Sequence, residues 1–392
     1  MAIIFNIGES IKQSAFNILL EPIQMFLENQ HELYEKESHL DKIYTFKTTD
    51  KYQEEYRSRT EMRGFEPTED LEVAQTSDFK EGYRKVFRTQ TWTNSFVVSK
   101  QTIEDNQDMN INQDAMGFIK SYGRTRELYG YAMLAGALAG SCTFGNKSPK
   151  KFDCRGMDTV DGTIEGTPQL YFHNAHKSVI EGVADQSNKF RAAIDLTEHG
   201  AHEKLAELIG IVETTMMNYT NYNGDILTVN PTRILVPNHY LLKDVMLTAL
   251  KSTHTGFLGG NGVNIQAGKW EVLVSAYLNK HAGFAEADQA FIMIDPVINK
   301  ENLGAVWFER KPLEVRTYID QPTEAMVWAG RSRYGVDFGD FRAMAYVSTK
   351  KLGEGEDLNT VAAAQNATPI TTSDRIKKVK VTNAEDFHEE EG

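Results

Sequence analysis

Cysteine is nearly missing from this chain of 392 residues: Cys142 and Cys154 are the only two. Two thiols cannot make a disulfide framework, so a reducing compartment is expected. No His lies between them, so the pair would need outside help to hold a metal, and both read as ordinary thiols. Bases are outnumbered, 42 Lys and Arg against 55 Asp and Glu, for a formal charge of −13. That balance excludes a sequence-independent nucleic-acid binder, which needs clustered cations for phosphate. It suits a protein kept soluble at high concentration, or a wall that must not stick to DNA beside it. Long hydrophobic runs are also lacking. The longest, Tyr129 to Phe144, is too short to span a bilayer and contains Gly130, Gly136, Gly140 and Ser141. Gly136 and Gly140 form a GxxxG pair, read here as close helix packing in a soluble protein. The start, Met1-Ala2-Ile3-Ile4-Phe5, lacks the basic region and cleavage site of a signal peptide.

Catalytic motifs are missing as well. There is no G-x-S-x-G elbow and no phosphate loop ending in Gly-Lys-Ser/Thr. Gly256 to Gly262 is rich in glycine, but Val263 and Asn264 follow where a phosphate loop needs Lys and Ser. His202-Glu203 is followed by Ala206 where a zinc-protease helix needs its second His. The pairs His199/His202 and His173/His176 are each three residues apart and read as solvated or packing histidines. No catalytic residue, cofactor or metal is assigned.

What is present is globular, with 41% apolar and 25% charged residues and enough chain for more than one domain. Residues 8 to 37 read as a helical arm on the stripe Ile11, Phe16, Leu19, Leu20, Ile23, Phe26 and Leu27, bent or divided by Pro22. Lys51 to Asp78 is dense in charge and poor in large apolar residues, so it cannot build a core alone. Tyr83 to Trp92 and Phe96-Val97-Val98 read as one long strand, which makes the charged stretch an extended hairpin held away from the body. Asn112 to Gly140 is the longest helix, capped by Asn112 or Asp114. Residues 143 to 195 are turn-rich and unassigned. Thr197 to Tyr219 is a helix, Arg233 to Pro237 a buried strand, and Tyr240 to Leu250 a short helix. Trp270 to Val274 and Phe291 to Ile294 are further strands, giving a compact α/β subdomain. Ala305 to Phe308, Leu313 to Ile319, Ala325 to Trp328 and Ala343 to Val347 read as antiparallel strands of one sheet. Residues 353 to 392 carry nine acids and four bases, leaving −8 of the −13 on the body, and read as a disordered acidic tail.

Three stretches carry a family resemblance. Phe96 to Asp105 includes Ser99 and Ile103-Glu104-Asp105 just before the long helix. Asn223-Gly224-Asp225 precedes Pro231-Thr232-Arg233-Ile234-Leu235-Val236-Pro237. Tyr318-Ile319-Asp320, Tyr334-Gly335-Val336-Asp337 and Ala343-Met344-Ala345-Tyr346 close the pattern. In this order over about residues 40 to 350, the chain resembles the major capsid proteins of tailed bacteriophages, the Hong Kong-97-type fold, and within it the Mu-type major head subunits.

The resemblance implies an α+β fold and a non-enzymatic shell protein. Its parts would be an N-terminal arm (1–49), an extended loop (50–95), a peripheral domain with spine helix (96–149), an axial domain (150–300), peripheral return strands (301–352) and the tail (353–392). It implies pentamers and hexamers of itself enclosing double-stranded DNA without specific binding, in a virion assembled in a bacterial cytoplasm. Portal, scaffolding and decoration proteins would be the partners, with no membrane. The loop starts near residue 50, which leaves no room for an N-terminal scaffolding segment, so scaffolding is expected from a separate protein. Lys80 and Lys85 lie in the loop, but no crosslink is assigned. Arg59, Arg63, Glu66 and Glu69 are expected in intersubunit ion pairs. Gly256, Gly259, Gly260 and Gly262 are expected at the centre of each ring. A nanocompartment shell holding an enzyme cargo, or an α/β enzyme outside these motifs, are the alternatives.

Overall fold

The computed structural model describes residues 3–8, 17–60, 62, 65, 67, 70, 79–101, 108–252, 254–255, 262–264 and 266–372. The fold is α+β and is organised by two sheets.

The first sheet has five strands around one very long one, Ala305–Asp320. The sequence reads this stretch as two strands. The chain instead passes Pro312 in a single strand, with register shifts between Glu309 and Glu314 that accommodate a residue unable to donate a ladder hydrogen bond. Ala325–Phe338 pairs antiparallel along one side and is followed by Gln90–Val98. On the other side Ile4–Ile7 and Thr45–Thr48 both pair parallel, end after end. The arm therefore begins with a strand, and its helix is Asn17–Glu37. Pro22 sits inside that helix without ending it. It forgoes the one intrahelical bond that its missing N–H would have made.

The 29-residue helix Asp108–Gly136 packs with the arm helix over one face of this sheet. Ile23, Leu27, Ala115, Phe118, Ile119, Val315, Met326 and Trp328 form the core between them. Asn112 and Asp114 lie within the helix and do not cap it. The expected long strand from Tyr83 is broken at Thr89 into Glu81–Arg88 and Gln90–Val98, which belong to different sheets. Gly335 explains where: a β-carbon there would meet the Arg88 carbonyl oxygen at 2.4 Å, so the chain crosses over bare backbone.

The second sheet has six mixed strands in the order Glu271–Ser275, Arg233–Pro237, Ala290–Ile294, Met344–Ser348, Lys189–Arg191 and Thr368–Pro369. The sequence grouped Ala343 to Val347 with the long strands, but Met344–Ser348 runs through the middle of this sheet. All five of its residues are buried, the mark of a strand covered on both faces. The helix Ala201–Met217 lays Leu205, Leu208, Ile209, Val212 and Met216 into the core, as its periodicity requires. The unassigned region holds two short hairpins, Ser141–Phe144 with Lys150–Asp153 and Arg155–Thr159 with Pro168–Leu170. Glu271 joins the arm to the sheet edge, 2.6 Å from Lys42 and 3.0 Å from Arg233.

Residues 353–372 of the tail fold onto the body. Asp357 accepts from Thr360 N and caps the helix Leu358–Ala364. Thr368–Pro369 then extends the six-stranded sheet, and Ile370 is buried. Over 353–372 a local cap and the buried Ala362, Ala367 and Ile370 outweigh the acidic composition that suggested disorder. Residues 373–392 lie outside the described residues.

Candidate assembly surfaces

The charged stretch does form a hairpin. Gln53–Arg59 pairs antiparallel with Glu81–Arg88, from Gln53 opposite Arg88 to Arg59 opposite Glu81. Its base is not held away from the body. Tyr83 and Phe87 are buried with Val306, Phe308 and Tyr222 in a third apolar cluster. The ring of Phe87 lies 5.1 Å from those of Tyr56 and Phe308. Tyr83 Oη donates to Lys177 O at 2.8 Å.

Lys85 locks the base. Its Nζ lies 2.5 Å from Asp337 Oδ1 and donates to Phe338 O at 2.9 Å and to Arg155 O. Burial pushes the Asp337 carboxyl up, and the Lys85 charge opposes that shift. Lys85 shares its strand face with buried Tyr83 and Phe87, so alternation points it inward, but the sequence does not reveal its partner 252 positions later in the chain.

Further out the hairpin turns polar. Arg57 bridges Glu81 at 2.9 Å and Glu55 at 3.0 Å within the chain. Arg59 is exposed at the strand end. Arg63, Glu66 and Glu69 lie outside the described residues. Tyr52, Met62, Phe65 and Phe79 are exposed apolar side chains on or beside the hairpin. Of the glycine-rich segment, Gly262 pairs opposite Thr255 in a two-residue ladder, His254–Thr255 with Gly262–Val263. Gly256, Gly259 and Gly260 lie outside the described residues. The root of this loop is clasped by buried Asn264, whose Nδ2 donates to Ala249 O at 2.7 Å and Ser252 O at 2.9 Å.

The outer face of the five-stranded sheet carries a further surface that sequence reasoning missed. Arg316 and Arg331 are exposed beside Thr93, Asn94, Ser95, Asn6 and Lys147 around an open groove of about 570 Å³. The signal was the alternation in Val315-Arg316-Thr317 and Gly330-Arg331-Ser332, which places these cations on one face.

The histidines do not assemble a reactive centre. His176 is buried, with Nδ1 2.5 Å from Asp158 Oδ2 and Nε2 2.9 Å from Asn188 Oδ1, and it stacks on Phe341 at 3.8 Å. His202 Nε2 lies 4.0 Å from Glu203 Oε1. Among the described residues no three His, Cys, Asp or Glu side chains converge to hold a metal ion, and no helix is long and apolar enough to cross a membrane.

No protein-family model matches the chain, and no curated protein matches it. Solved structures do. The chain is similar to the mature capsid of bacteriophage PhiM1, at 13% identity over 79% of this chain and 86% of that one, TM-score 0.43. It is similar to the capsid of cyanophage P-SCSP1u, at 9% identity over 79% and 87%, TM-score 0.44. It is also similar to a virus-like particle from Pyrococcus furiosus, at 10% identity over 83% and 98%, TM-score 0.40. With so few shared residues, function has to be argued from the chain's own geometry.

Proposed function

We propose that this chain is the major capsid protein of a tailed bacteriophage, a Hong Kong-97-type structural subunit and not an enzyme. The observation that carries the reading is the hairpin. Its base is fixed by Tyr83, Phe87 and the Lys85–Asp337 pair, while Met62, Phe65 and Phe79 beyond it are exposed and join no core among the described residues. An arm that rigid at its root and that apolar at its reach gains stability by lying on a neighbouring copy. Obligate interfaces bury about 2,000 to 5,000 Å² or more, and rings close through heterologous contacts between different patches. The arm helix, the long helix across a five-stranded sheet and the separate six-stranded sheet support a division into arm, spine, peripheral and axial parts, with Met344–Ser348 on the axial side. The three motif stretches favour the Mu-type branch within that class.

In this reading the subunit forms pentamers and hexamers around DNA it does not specifically bind, with portal, scaffolding and decoration proteins as partners, in the virion after assembly in the host cytoplasm. Arg59, Arg63, Glu66 and Glu69 pair across subunits. Electron microscopy of the purified chain tests the reading: closed particles hundreds of ångströms across are expected. A monomer or compact oligomer at every salt and protein concentration overturns it.

The loop of Gly256, Gly259, Gly260 and Gly262 sits at each ring centre in this reading, where glycine lets one sequence take slightly different shapes in five- and sixfold rings. Replacing Gly259 and Gly260 together with Val is expected to lower particle yield or change particle size, read from micrographs. Unchanged yield and diameter would remove the loop from the ring centre.

A further inference from the structure

We propose that Cys142 and Cys154 are a redox pair that closes into an internal disulfide under oxidising conditions, stapling the short hairpin at the end of the long helix. In that hairpin Cys142 stands opposite Phe152, and Cys154 N donates to Gly140 O at 3.0 Å. The two cysteines are therefore diagonal neighbours on one side of the ribbon. Their sulphurs converge on one atom: Met133 Sδ lies 3.4 Å from Cys142 Sγ and 3.7 Å from Cys154 Sγ. Gly136 makes the slot. A β-carbon there would lie 2.7 Å from Cys154 Sγ and 2.8 Å from Cys142 Cβ.

The two thiols differ in ways that assign roles. Cys142 is half-buried and Cys154 is buried. A hydrogen bond from Cys154 lowers the Cys142 pKa, and that bond together with burial raises the Cys154 pKa. Cys142 is thus the sulphur that meets an oxidant, and Cys154 the one that resolves the product. With hydrogen peroxide, the Cys142 thiolate attacks one oxygen and the O–O bond breaks. The products are a Cys142 sulfenic acid and a hydroxide, which takes the proton shed by the thiol to become water. Cys154 sulphur then attacks Cys142 Sγ, the S–O bond breaks, and the departing hydroxide takes the Cys154 proton. Two thiols lose two electrons, and one peroxide becomes two waters. The chemistry needs no assembly. Only its timing rests on the capsid reading, in which the chain is made in a reducing cytoplasm and serves outside it.

The test treats the purified full-length chain with dilute hydrogen peroxide and follows intact mass, alkylation and thermal unfolding. The expected product has lost two hydrogens, resists alkylation at both cysteines until dithiothreitol is added, and unfolds about 5 °C higher because the closed loop restricts the unfolded chain. Cys142→Ser and Cys154→Ser each lose the mass change and the thermal shift. Cys154→Ser retains a dimedone-reactive sulfenic acid. Three results overturn the proposal: an unchanged mass, oxygen added at Cys142 while Cys154 stays alkylatable, or disulfide-linked dimers on a non-reducing gel. None of these readouts involves particles, so failure here leaves the capsid reading standing, and a chain that never assembles leaves the redox pair standing.

Discussion

A chain in which an Asn-Gly turn replaces residues 61–78 is expected to stay folded and soluble but to form no shells. The ends are already side by side, since Thr60 N donates to Lys80 O at 3.0 Å and Lys80 N donates to Thr60 Oγ1 at 2.9 Å. With Phe79 the new turn makes a three-residue connection between Thr60 and Lys80, a length that hairpins commonly use. The deletion spares Tyr56, Tyr83, Phe87 and Lys85, which hold the base. It removes six acids, Arg63, and the exposed Met62 and Phe65. None of these contributes to a described core, so the thermal midpoint of the subunit should move by no more than about 2 °C, as for a surface change. Assembly should fall from abundant particles to none in micrographs. Normal shells from this variant would mean that the hairpin end does not hold neighbours together.

Replacing Lys85 with Met has the largest expected effect on stability, about 3–5 kcal/mol, because it leaves the Asp337 carboxylate buried without its cation. The pH dependence identifies the cause. Burial already raises the folded-state Asp337 pKa above its ordinary value, and removing Lys85 takes away the charge that opposes this. A carboxyl whose pKa is raised by folding favours the folded state most when protonated. The variant should therefore be most stable below the ordinary carboxylate range and lose stability as pH rises through the raised value. Urea unfolding at a series of pH values reads this directly. The double change Lys85→Met with Asp337→Leu should recover much of the loss, since an apolar pair of similar volume can replace a buried ion pair. A flat pH profile in Lys85→Met, or a loss below about 1 kcal/mol, would show the pair to be dispensable.

Helices with a clean apolar stripe were legible in the sequence: Leu205, Leu208, Ile209, Val212 and Met216 point inward as their spacing requires. Strand existence was also legible, but strand membership was not. A continuous apolar run shows that Ala343 to Val347 is a strand, yet which sheet it enters depends on partners 50 or more residues away, Ala290–Ile294 and Lys189–Arg191. Local composition misread residues 353–372, because a cap at Asp357 and the buried Ala362, Ala367 and Ile370 order a segment that charge counting assigns to solvent. The hairpin was visible from its charge, but the anchoring role of Lys85 was not. Period 2 puts Lys85 on the face of Tyr83 and Phe87, but nothing nearby in the sequence names Asp337 as the carboxylate that meets it.

The strand Ala305–Asp320 runs for about 50 Å. Ile4–Ile7 and Thr45–Thr48 ride along one flank, and the opposite flank holds Ala325–Phe338, which also carries Asp337, the anchor of the hairpin. One long strand therefore ties the amino-terminal strand directly, and the hairpin root through its neighbour, to a single hydrogen-bonded ladder.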